Sequence, residues 1–115
     1  MHVIDETSVL DLGQLREITL DDEELMREIL ASLVDDTASQ MVLLDQAIRD
    51  RDPQRTMRLA HYSKGACANV GANAMAAQLK RLELHAAAGR FEECVGSYQS
   101  LTREVERLRT EAASV

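Results

Sequence analysis

Apolar residues return every three or four positions along most of this chain, and that period leaves little choice of fold. From Met26 the series Ile29, Leu30, Leu33, Thr37, Met41, Leu44 and Ile48 forms one seam that ends near Arg49. A strand would alternate every second residue, so the seam predicts a helix of roughly 45 Å at about 1.5 Å per residue. Thr19, with Asp22 three residues later, is expected to cap its start, and the acids from Asp21 to Glu24 suit the positive end of a helix dipole.

Asp52 followed by Pro53 supplies a capping carboxylate and then the residue best tolerated in a first helical turn, so a second helix opens at Pro53. It is expected to run to Val70, where Gly71 offers a left-handed stop. A third helix from about Ala72 carries Met75, Leu79, Leu82 and Ala86 on one face and ends at Gly89. The last, from about Arg90, orders Phe91, Cys94, Val95, Tyr98, Leu101, Thr102, Val105 and Leu108 like a heptad seam.

Four apolar stripes joined by short connections must find partner faces, and an antiparallel four-helix bundle lets them satisfy one another. Leu10, Leu12, Leu15 and Ile18 suggest a short additional N-terminal helix over one end of the core, although Gly13 weakens it. The expected fold is therefore all-α, one domain over residues 1–115 with its bundle core at about 20–110 and no linker or repeat. At 115 residues one core is the natural limit, and 3% aromatic content with one proline agrees with helices rather than sheets. With internal stripes matched, a monomer is expected.

Composition removes several functions. A net charge of −7 argues against a nucleic-acid binder, which needs a basic face. No segment approaches the roughly 20 apolar residues of a membrane span, and the acidic start does not resemble a signal peptide. A cytoplasmic protein is expected. Cys67 and Cys94 lie far apart without a CxxC pair, which fits reduced thiols.

The second helix carries the chemistry. At about 100° per residue Leu59, Ala60, Ser63, Ala66, Cys67 and Val70 fall within a sector of about 120°, and His61 points about 160° away from its centre. His61 is thus expected on the outer face of the bundle. Its neighbours one turn away are Met57, Arg58, Lys64, Gly65 and Ala68. Gly and Ala leave that surface bare, although a mid-helix Gly costs about 1 kcal/mol against Ala. A bare surface lets another protein bring a reactive group to the imidazole, whose neutral nitrogen is a nucleophile near pH 7. Lys64 supplies positive charge where a transferred group would be negative. Phosphoryl transfer suits so small a set, because its loose transition state asks mainly for alignment and charge neutralisation.

The run Ala60-His61-Tyr62-Ser63-Lys64-Gly65-Ala66-Cys67-Ala68-Asn69-Val70-Gly71-Ala72 resembles the signature of histidine-containing phosphotransfer (HPt) domains, roughly AHxLKGxxxxxGA, and Leu79, Leu82 and Glu83 downstream also fit. The resemblance extends over nearly the whole chain. It implies a phosphocarrier without kinase activity: His61 as phosphoacceptor, Lys64 as the charge that steadies the phosphoryl group, Gly65 as the small residue that admits a receiver domain. It also implies receiver domains of response regulators and hybrid histidine kinases as partners, with Met57, Arg58 and Ala68 as docking residues. No cofactor of its own is implied, the magnesium belonging to the receiver. Ser63 departs from the pattern, standing where the family usually has a buried leucine; a hydroxyl there can bond back to the Leu59 carbonyl, yet it gives up about 2 kcal/mol of possible apolar burial.

Plainer readings compete. His61 alone would pass for an ordinary surface histidine, and His2 and His85 are read that way, one in a terminus and one beside a core stripe near a helix end. A zinc site from His61, His85, Cys67 and Cys94 fails on direction, since the cysteines lie on core stripes and the spacings of zinc motifs are absent. An alternative function is an unphosphorylated module of the same fold that docks on a histidine kinase or receiver and regulates it.

Overall fold

The computed structural model describes residues 5–115. They form five helices, α1 (Leu12–Thr19), α2 (Glu23–Arg49), α3 (Pro53–Val70), α4 (Asn73–Ala87) and α5 (Phe91–Ala113). Helices α2 to α5 pack side by side as an up-and-down bundle, α2 closing the ring against α5, while α1 leans on α2 and α3 at one end. The all-helical bundle with a short N-terminal helix is the fold the apolar periods predict. His2 lies outside the described residues.

The seams assemble as one core. Met41, Leu44 and Ile48 of α2, Ala60 and Cys67 of α3, Met75, Leu79, Leu82 and Ala86 of α4, and Leu101, Val105 and Leu108 of α5 are all buried in it. A second cluster of Leu15, Met26 and Leu30 joins α1 to the start of α2, so the buried interior begins ahead of residue 20. Of the described apolar residues of the N-terminal segment Leu15 alone is buried; Leu12 and Ile18 are exposed, and Leu10 precedes the helix.

Helix ends follow local chemistry, with one correction. Asp52 caps α3, its carboxylate accepting from Arg55 N, and Gly71 ends the helix at φ 91. Thr19, expected to cap α2, closes α1 instead, donating its hydroxyl to the Leu15 carbonyl at 2.7 Å. Leu20 and Asp21 then turn through left-handed φ values of 53 and 61, and Asp22 caps α2 by accepting from Leu25 N. The aspartate side chain meets the amide three residues on, so the carboxylate wins the cap over the hydroxyl further back.

The α5 seam also differs in detail from its heptad reading. Val95 is 48% exposed and Thr102 is exposed, while Ser97 is buried. A helix packed into a compact bundle drifts from a strict seven-residue repeat, which moves the flanking positions off the buried stripe. Both cysteines are buried and free. Burial pushes the Cys67 thiol up to about 12, against a smaller lowering by Thr37, and raises Cys94 as well.

Candidate functional site

The site is built on the outer face of α3 and completed by α4. Because Ala60, Ser63 and Cys67 hold the opposite side of α3 in the core, the helical phase turns His61 outward, and its side chain is 70% exposed. Lys64, one turn on, is part-buried, its side chain 28% exposed. Gly65, one turn on from His61, lies on the same face, and a Cβ added there would meet nothing within 4 Å. Nothing in the fold requires glycine at that position. Met57 is half-buried, and Arg58 and Ala68 are exposed on the same outer face as His61.

Glu83 of α4 ties the site together. Its Oε1 lies 3.1 Å from His61 Nδ1, and Lys64 Nζ donates to its Oε2 at 2.8 Å. Partial burial pushes the Glu83 carboxyl up, yet the hydrogen bond and charge of Lys64, with smaller contributions from His61, bring it below its ordinary value. The carboxylate is therefore ionised at neutral pH and can only accept, which places the proton of a neutral His61 on Nδ1 and leaves the lone pair of Nε2 facing solvent. The sequence matched Glu83 to a pattern without giving it a contact. The missing signal was tertiary, because the residue reaches His61 from another helix, 22 positions on.

Charge around the site departs from that of the molecule. Between Pro53 and Leu82 there is no Asp or Glu, and Arg55, Arg58, Lys64, Lys80 and Arg81 fall in that stretch; the other 8 of 13 cations share the rest of the chain with all 20 acids. The net charge of −7 thus hides a basic stretch through α3 and most of α4, ended by Glu83, against an acidic remainder. This was readable in the sequence by counting charge along the chain rather than in total.

Ser63 does not do what its sequence position suggested. It is buried at 2% exposure, but its Oγ has no hydrogen-bond partner, so the bond back to the Leu59 carbonyl is absent. The substitution leaves a small polar orphan behind the site without disturbing His61 or Lys64. Among the described residues no three His, Cys, Asp or Glu side chains gather where a metal ion could be held, and no helix is long and apolar enough to cross a membrane.

Comparison with known proteins bears on the fold and the family. A search of curated protein sequences returns no match. The structure superimposes on the crystal structure of histidine-containing phosphotransfer protein B (HptB) from Pseudomonas aeruginosa PAO1 with a TM-score of 0.85 and 25% identity, covering 92% of each chain. The family model of the Hpt domain matches residues 28–111, which span most of α2 and all of α3 and α4. With that match over most of its length, the chain belongs to the Hpt domain family, the histidine phosphotransfer modules of two-component signalling.

Proposed function

We propose that His61 is the phosphoacceptor of a multistep phosphorelay, taking a phosphoryl group from the aspartate of one receiver domain and passing it to another. The observation that carries this reading is the His61–Glu83–Lys64 triad, with one nitrogen of an exposed imidazole held and the other presented. In the forward step the Nε2 lone pair attacks the phosphorus of the receiver's aspartyl phosphate. The Nε2–P bond forms as the P–O bond to the aspartate breaks, and the electron pair of that bond leaves with the carboxylate. No proton need move: the ring becomes a phosphorylated imidazolium whose Nδ1–H still donates to Glu83, and the carboxylate balances the new positive charge. Lys64 is close enough in sequence phase to share its cation between Glu83 and the phosphoryl oxygens. Reversal of the same step against a second receiver returns the ring to neutrality.

Arg58 and Ala68, with Met57 at the edge, flank the imidazole where a partner would press, and Gly65 leaves room for it. The basic α3–α4 face supports a partner whose own reactive centre is acidic, as a phosphorylatable aspartate must be. In this reading the chain is a phosphocarrier without kinase activity or cofactor of its own, works as a monomer in the cytoplasm, and relies on magnesium in the receiver to neutralise the phosphoryl charge.

The test is to incubate the protein with phosphorylated receiver domains of its source organism and follow acid-labile label. Transfer to the wild-type chain and its loss in His61→Gln is the expected result. Label that persists in His61→Gln would place the acceptor elsewhere, and absence of transfer from every receiver would favour a docking module that does not turn phosphate over.

A further inference from the structure

Ahead of α1, and outside the stretch matched by the family model, residues Asp5 to Asp11 run as a strap beside the α3–α4 turn. Backbone bonds fix it there: Ala74 N donates to Ser8 O and Asp11 N to Gly71 O, each at 2.8 Å. Gln14 of α1 adds a side-chain bond from Nε2 to Ala68 O at 2.8 Å, on the same helix as His61. The approach is so close that a Cβ on Gly71 would meet Asp11 O at 3.0 Å. At the outer end of the strap Ser8 N bonds Asp5 O, and Asp5 accepts from Thr7 N, so Glu6 sits at the tip of a closed turn.

That turn opens onto a groove between α3 and α4. It is lined by small residues, Gly65, Ala68 and Ala76 among them, by Lys64 and Lys80, and by Glu6 of the strap. These are the two lysines of the chain. Glu6 is exposed and makes no ion pair with another described residue. Glu83 of α4 holds Lys64 from beside the groove, and Glu6 of the strap is the acid among the residues that line it. The groove shares Lys64 and Gly65 with the acceptor site, so a protein docked over His61 is led along it.

Resting on the phosphoacceptor reading, we propose that the strap selects among partners: Glu6 sets the charge that a receiver must carry at the far end of the groove. A receiver docks productively when it presents acidic groups to Lys64 and Lys80 and a basic group to Glu6. Rim charges of this kind act on encounter and on the rejection of wrong partners more than on the chemistry. The strap thereby gives a family scaffold a partner preference that the helices themselves do not encode.

The experiment measures transfer rates from a panel of phosphorylated receiver domains of the source organism to the full wild-type chain, Glu6→Gln and Glu6→Lys. Labelling of His61 by phosphoramidate, a small donor that needs no docking surface, is followed in parallel. The expected result is a change of about tenfold in the ratio of rates between favoured and disfavoured receivers for Glu6→Lys, a smaller change for Glu6→Gln, and unaltered phosphoramidate labelling. Ratios that stay within twofold in both variants, with wild-type transfer intact, overturn the selection role and leave His61 as acceptor. Receiver and phosphoramidate labelling that fall together overturn it too, by tracing the effect to the imidazole. Absence of wild-type transfer from any receiver removes the acceptor reading and this one with it.

Discussion

Glu83 is the residue on which the site turns. Its carboxyl is held below the ordinary value of 4.5, since Lys64 and His61 outweigh the opposing effect of burial. A depressed folded-state value means that the interaction stabilises the protein at any pH above the ordinary value and is lost as pH falls through the lower one. Thermal melts of wild type and Glu83→Gln should therefore differ at neutral pH, by an amount in keeping with about 0.2–1 kcal/mol for a partly exposed pair, and converge well below pH 4.5. Ser63 makes the opposite case, a polar group with nothing to hold. Its Oγ is buried and unpartnered, and an unsatisfied hydroxyl costs about 1–3 kcal/mol. Ser63→Ala should raise stability by about 1 kcal/mol in urea unfolding, with transfer to His61 unchanged.

At the scale of the helix, the proposed function has α3 give up stability for access. Gly65 stands in its interior with open space around it, so Gly65→Ala should stabilise the fold by about 1 kcal/mol. The same methyl projects into the surface where a receiver must approach, and a misplacement of that order should slow receiver-dependent transfer by about 10–100-fold while phosphoramidate labelling stays near wild type. Stopped-flow transfer rates beside chemical melts check both halves. The helices themselves were legible because each carries an apolar period and a distinct start or stop, as Asp52-Pro53 and Gly71 do for α3. Where two caps competed, at Thr19 and Asp22, local propensity did not decide between them, and the α1–α2 turn settled it with two left-handed residues. Val95 and Thr102 were misplaced for a related reason: an idealised repeat has no knowledge of which flank the neighbouring helix leaves open.

Across the whole molecule charge is segregated, with a net basic stretch from Pro53 to Leu82, whose site carries the single carboxylate of Glu83, set against an acidic remainder. Such a distribution orients an approaching acidic partner and accelerates encounter, and salt screens it over about 8–10 Å at 0.1–0.15 M. Receiver-to-protein transfer measured under encounter-limited conditions should slow as ionic strength rises from about 0.05 to 0.5 M, and Lys80→Gln should flatten that dependence without changing phosphoramidate labelling. His61, Lys64 and Gly65 were legible as neighbours on one outward helical face because their contacts are local. Glu83 and the strap were not, because both are brought to that face by the packing of other elements.

In the proposed reaction His61 attacks through Nε2 because Glu83 holds Nδ1, and nitrogen-15 NMR of the phosphorylated protein distinguishes the two nitrogens. The expected spectrum shows a phosphorus coupling to the His61 Nε2 resonance, with Nδ1 protonated and shifted by its hydrogen bond. Phosphorus coupled to Nδ1, or phosphate on any residue other than His61, would contradict it.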